Sequence, residues 1–117
     1  LRLEFVGNSM TCGYGIESDN PSDSFSKETE NHYYAYPALV SERLNAQYIA
    51  VARSGIGIYR NYGGPVEGSI DCLPNMYDYT LYGDTTEIWD FSRYIPDIVC
   101  VNLGNCKRAF HLALTLS

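Results

Sequence analysis

Leu1 to Gly15, LRLEFVGNSMTCGYG, reads as a short apolar strand that runs straight into a glycine-rich turn. Leu1, Leu3, Phe5 and Val6 are apolar with few breakers between them, the pattern of a strand buried on both faces of a parallel sheet. Gly7 ends it by letting the backbone turn where a Cβ would clash, and Asn8 tolerates the dihedrals of a tight turn. Gly13 and Gly15 leave the following loop free to approach a ligand. The turn therefore sets Ser9 at the carboxyl end of the first strand. In open α/β sheets that edge is where ligands and nucleophiles gather.

Outward from this stretch the periodicity alternates. Residues 16–31 are rich in Ser, Asp, Asn, Glu and Pro, the chemistry of a long surface loop, here expected to wall the site. Pro37 pre-sets a first helical turn, and Tyr36, Leu39, Val40, Arg43 and Leu44 recur at helical spacing until Asn45 stops the run. The spacing predicts one amphipathic helix with its apolar stripe on a sheet and Ser41, Glu42 and Arg43 toward water. Tyr48, Ile49, Val51 and Ala52 predict a second strand, and strand, helix, strand in that order gives a right-handed crossover and a parallel pair. Arg60 to Gly68 is loop. Leu73 to Leu81 predicts a short helix with Met76, Tyr77 and Leu81 inward. Pro96 closes whatever helix precedes it, and the continuous apolar run Ile98 to Leu103 predicts a central parallel strand.

Composition narrows the partners. The 117 residues fit one small α/β domain, and 45% hydrophobic content suffices for a core. A formal charge of −6 argues against nucleic acid or an anionic membrane surface and for neutral or weakly charged ligands. No stretch approaches the roughly 18 consecutive apolar residues of a membrane-spanning helix. Cys12, Cys72, Cys100 and Cys106 lack the spacing and paired histidines of a zinc site, so no metal is implied. Cys100 reads as a small buried hydrophobe, while Cys12 and Cys72 are either bridged or free. The 11 tyrosines suit stacking on sugars, or half-buried packing with the hydroxyl at the surface. With no initiator Met and no basic-then-apolar leader, the chain is expected to begin inside a domain or after a removed segment.

Five segments in order carry a family resemblance: EFVGNSMTCGYG, TENHYYAYPAL, SGIGIYRNYG, WDFSRYIPD and VNLG. Together they resemble the SGNH (GDSL-type) hydrolases and, within them, the second carbohydrate esterase family. Asn8 stands where that pattern has Asp, a near-isosteric swap that loses a charge and keeps a turn-forming side chain. The resemblance implies a three-layer α/β/α, flavodoxin-like domain with a parallel sheet, secretion, no cofactor, and deacetylation of plant polysaccharides such as xylan. Ser9 is then the catalytic nucleophile. The backbone N–H groups of Ser9 and Gly55, with the side chain at or near Asn105, form the oxyanion hole. By itself Gly55 reads equally as an ordinary strand-to-helix turn requiring positive φ. His32 and Trp89 are candidate substrate contacts; the plainer readings are a histidine capping a helix or packing with Tyr33 and Tyr34, and a tryptophan filling a core edge.

The pattern breaks after Leu103. Gly104 is followed by Asn105, Cys106 and Lys107, so Asn105 comes one position early and no Asp follows it. The remaining tail, 105–117, has no counterpart in the family, and the closing D-x-x-H segment that supplies the catalytic base is missing; His32 and His111 lack that context. Under one choice of codons for Asn105 to His111, dropping a single base converts the tail to T-A-N-E-L-S, so an out-of-frame tail is the expectation. Residues 1–104 are accordingly read as the N-terminal portion of the domain, inactive or weakly active without its base. Two rival readings stand beside the esterase. One is a catalytically silent carbohydrate-binding remnant using the tyrosines and Trp89. The other is a phosphate cradle at GNSMTCGYG, disfavoured because no lysine follows the glycines.

Overall fold

The computed structural model describes residues 1–104 and the backbone of residues 114–116. Among the described residues six strands and three short α-helices, besides two single 3-10 turns, follow in the order β1 (Arg2–Gly7), α1 (Ser9–Cys12), α2 (Tyr36–Arg43), β2 (Gln47–Ala52), α3 (Leu73–Met76), β3 (Tyr79–Leu81), β4 (Asp84–Ile88), β5 (Ile98–Asn102) and β6 (Leu114–Leu116). The main sheet runs β2-β1-β5-β6, with β1 parallel to both β2 and β5 and β6 antiparallel to β5; β3 and β4 form a separate antiparallel hairpin. The fold is α/β around a parallel sheet, as the sequence indicates.

β1 is central because all but its first residue can be buried on both faces. Leu3 and Phe5 point to one side, where the Phe5 ring meets Tyr36 of α2 and Tyr48 of β2 edge-on, centroids 5.6 and 6.0 Å apart. Glu4 and Val6 point to the other, where Val6 joins Ile56, Leu73 and Leu103 in the core. Each such apolar side chain contributes about 1.5–3 kcal/mol on burial. Helix α2 thus covers one face and α3 with the hairpin the other, giving the expected layers. In register, Gly7 faces Ala52 on one side and Asn102 on the other, so the three parallel strands end level and their loops emerge along one edge.

Two expectations need correction. Helix α2 is turned the other way: Pro37 and Ser41 are buried, whereas Leu39, Val40 and Leu44 are exposed. The rings of Phe5, Tyr36 and Tyr48 already fill this layer, so only the small residues fit against the sheet. The Ser41 hydroxyl is left buried without a hydrogen-bond partner. The helix predicted for Leu73 to Leu81 stops at Met76, and Tyr79–Leu81 instead pairs with Asp84–Ile88. Tyr79 and Thr80 favour a strand, and Gly83, with φ 77°, makes the reversal that lets them pair. Asn45, at φ 49°, does end α2. Cys12, Cys72 and Cys100 are free thiols; Cys106 lies outside the described residues. No helix among the described residues is long and apolar enough to cross a membrane.

Candidate active site

Ser9 opens α1, and its position is set from behind. Asn8 is the helix cap: its side-chain oxygen accepts the Met10 N–H at 3.3 Å, and its carbonyl accepts Thr11 and Cys12 N–H at 2.9 and 3.0 Å. Asn therefore performs the capping that Asp would perform. Gly13 closes the turn at φ 87°, and a Cβ there would lie 2.4 Å from the Asn31 carbonyl oxygen. Thr11 is fully buried, its hydroxyl 2.9 Å from the Tyr36 hydroxyl, and its carbonyl accepts from His32 Nδ1 at 2.8 Å. Behind Ser9 there is no room to shift. In front, its side chain remains half-exposed.

Ser9 and Asn8 share an open cleft of about 560 Å³ with Ser54, Gly55 and Ile56 from the loop after β2, walled by Tyr14, Phe25 and Tyr62. Phe25 makes the 16–31 loop part of the wall and packs 5.4 Å from Tyr14, centroid to centroid. Tyr62 is 81% exposed, with an apolar ring face open to a ligand. Gly55 has φ 81° in a turn closed by the Ile56 N–H on the Arg53 carbonyl at 3.2 Å, the third position of a type II turn. The backbone N–H groups of Ser9 and Gly55 donate to nothing among the described residues. Gly57 has a different task, since a Cβ there would sit 1.9 Å from the Arg60 carbonyl oxygen. Asn61 ties that loop together: its side chain accepts the Gly57 N–H at 3.0 Å and donates to Asp71 at 2.8 Å, and its N–H reaches Ser69 at 2.8 Å. The Cys12 thiol lies near Ser54 and Glu30, and burial pushes it up from the usual value.

The structure brings Ser9 and Gly55 together and leaves His32 and Trp89 elsewhere. His32, a candidate substrate contact, lies behind the turn, its Nδ1 held by Thr11 and its ring 5.7 Å from that of Tyr48. It does not line the cleft, and packing claims it because a half-buried imidazole satisfies one carbonyl and one aromatic face at once. Trp89 lines a different cavity, with the Arg93 guanidinium 5.5 Å from its ring. Asn105 and His111 lie outside the described residues; β5 ends at Asn102 beside Gly7, the same edge as Ser9. Among the described residues no histidine lines the cleft. Sequence reasoning missed Tyr14, Phe25 and Tyr62. A lone Phe in the polar run SDSFSK was the available signal for Phe25; nothing distinguished Tyr14 and Tyr62 from the other tyrosines.

No family model matches the chain. It is 42% identical over 103 residues to the cellulase/esterase CelE of Acetivibrio thermocellus, covering 88% of this chain and 12% of that protein. It is 32% identical over 105 residues to an acetylxylan esterase / glucomannan deacetylase of Cellvibrio japonicus, covering 88% of this chain and 28% of that protein. Among solved structures, a family two carbohydrate esterase from Clostridium thermocellum in complex with cellohexaose superposes with a TM-score of 0.79 at 42% identity, over 88% of this chain and 30% of that one. The chain thus spans between 12% and 28% of the length of the curated relatives it matches.

Proposed function

We propose, from the premise that this chain is kin to the family two carbohydrate esterases, that Ser9 is the nucleophile of a secreted SGNH-type serine esterase that removes acetyl groups from plant cell-wall carbohydrate. The observation that carries the reading is the meeting of Ser9 with Gly55 on one aromatic-walled cleft, both with backbone N–H groups unengaged among the described residues. Ser9 Oγ attacks the acetyl carbonyl and its proton passes to a general base. The carbonyl oxygen, now an oxyanion, is held by the N–H groups of Ser9 and Gly55 and by the side chain at or near Asn105. Collapse expels the sugar hydroxyl and leaves an acetyl-enzyme, which water hydrolyses. Each oxyanion donor is worth about 2.7–4 kcal/mol in the transition state. Tyr62 and Tyr14 offer ring faces on which a sugar stacks.

The base is a histidine that the described residues do not place in the cleft, and its loss costs serine hydrolases several orders of magnitude in rate. The test is incubation with p-nitrophenyl acetate and a fluorophosphonate probe against a Ser9→Ala control, with retention on xylan measured in parallel. Turnover or labelling that depends on Ser9 supports the esterase. A second reading, a catalytically silent carbohydrate-binding module, is favoured by one observation: Tyr14, Phe25 and Tyr62 wall the cleft while no described histidine faces it. Retention on xylan without any labelling selects that reading, and neither labelling nor retention refutes both.

A further inference from the structure

A second cavity, about 300 Å³, lies between the β1–β2 face and the β3–β4 hairpin. Tyr77, Tyr79, Tyr82, Trp89 and Phe91 line it together with Arg53, which is stacked on Tyr82, and Glu4 is part of its surface against the sheet. We propose that this cavity binds a small alkylammonium cation, held between the aromatic faces and the Glu4 carboxylate. The proposal does not rest on the esterase reading, because Ser9 belongs to the other cleft.

Glu4 is only 5% exposed. One oxygen accepts the Tyr77 hydroxyl at 2.7 Å. The single ion pair among the described residues is Arg2 with Asp97, so Glu4 has no cationic partner. A carboxylate taken out of water with one neutral hydrogen bond is incompletely compensated, and a cation is what completes it. Burial, then Glu4 itself, pushes the Tyr77 hydroxyl well above the usual phenol range, so Tyr77 stays a neutral donor and does not neutralise the site.

The nearby arginines do not fill the role. Arg53 stacks 3.8 Å from the Tyr82 ring centre and donates to its hydroxyl at 2.6 Å, while that hydroxyl donates to the Asp71 carboxylate. Arg93 lies over Trp89 at 5.5 Å beside Asp90. Each guanidinium is thus matched by a carboxylate, Asp71 for Arg53 and Asp90 for Arg93, while buried Glu4 has only the Tyr77 hydroxyl. Aromatic rings around a carboxylate favour quaternary or alkyl ammonium groups over neutral molecules of the same shape, through the ring quadrupole and direct charge attraction. The volume lies at the small end for ligand pockets.

Trp89 is the one tryptophan of the chain, so its fluorescence reports on this cavity directly. The experiment titrates the 117-residue chain with choline and, separately, with 3,3-dimethylbutan-1-ol, its uncharged carbon analogue. The expected result is a saturable change with choline and at least about tenfold weaker binding of the alcohol. Glu4→Gln, folded by circular dichroism, is expected to lose that preference. Equal affinity for the two compounds, no saturable response to choline, or a folded Glu4→Gln that binds choline as tightly would each overturn the proposal. If Glu4→Gln does not fold, the choline-to-alcohol ratio on the unmodified chain decides alone.

Discussion

Substituting Gly7 by alanine tests whether the nucleophile turn is held as tightly as its geometry indicates. Gly7 is not among the positive-φ glycines, so its cost on substitution is steric. An added Cβ would lie 1.9 Å from Thr11 Oγ1, 2.8 Å from Thr11 Cβ and 3.2 Å from the Asn102 carbonyl oxygen. Thr11 cannot rotate away without leaving the Tyr36 hydroxyl, and it is fully buried. Overpacking of this kind costs about 1–3 kcal/mol, and the lost hydrogen bond adds about 0.5–1.5 kcal/mol. Gly7→Ala is therefore expected to destabilise by about 2–4 kcal/mol in equilibrium urea unfolding followed by Trp89 fluorescence. Adding Thr11→Ala removes the 1.9 Å contact but keeps the 2.8 Å one, so rescue is partial; Thr11→Gly removes both and relieves the clash. Gly15→Ala, with open space around it, is the contrast and costs only its positive-φ strain of about 1 kcal/mol. A Gly7→Ala chain within 0.5 kcal/mol of the parent, or one whose loss is unchanged by Thr11→Gly, would refute the reasoning, by the scale on which surface substitutions fall.

Three further outcomes follow from the same contacts. His32→Ala is expected to cost about 1–2 kcal/mol in urea unfolding, through the lost Thr11 hydrogen bond and the Tyr48 contact, while leaving cellohexaose affinity unchanged in calorimetry; a selective loss of affinity would return His32 to the cleft. If the cleft takes carbohydrate as proposed, Tyr62→Ala is expected to leave stability within about 0.5 kcal/mol and to weaken binding of a test oligosaccharide such as cellohexaose about tenfold, since its ring is exposed on the cleft wall. The Tyr82 hydroxyl holds the Asp71 carboxyl below its ordinary value of 3.8, so its contribution is present above about pH 4 and is lost as pH falls through the lower folded value. Melting temperatures between pH 5 and 2 are expected to fall less steeply for Tyr82→Phe, and parallel slopes would count against that contact.

The order of elements around the sheet is determined locally. The apolar runs of β1 and β5 can be buried only in a sheet covered on both faces, and Pro37 and Asn45 bracket α2 by backbone dihedrals alone. Gly7, Gly13 and Ser9 likewise specify a turn at the strand end, because their demands are those of neighbouring backbone. Which way α2 faces was decided by the tertiary structure, where the rings of Phe5, Tyr36 and Tyr48 had filled the layer and left room only for Pro37 and Ser41. The same holds for the hairpin, whose three-residue strand Tyr79–Leu81 is too short to have a readable period and forms because Asp84–Ile88 pairs with it. The separation of His32 and Trp89 from Ser9, and the joining of Tyr14, Phe25 and Tyr62 to it, also came only from the packed chain. Proximity between residues distant in sequence is a property of how layers stack, and no local propensity records it.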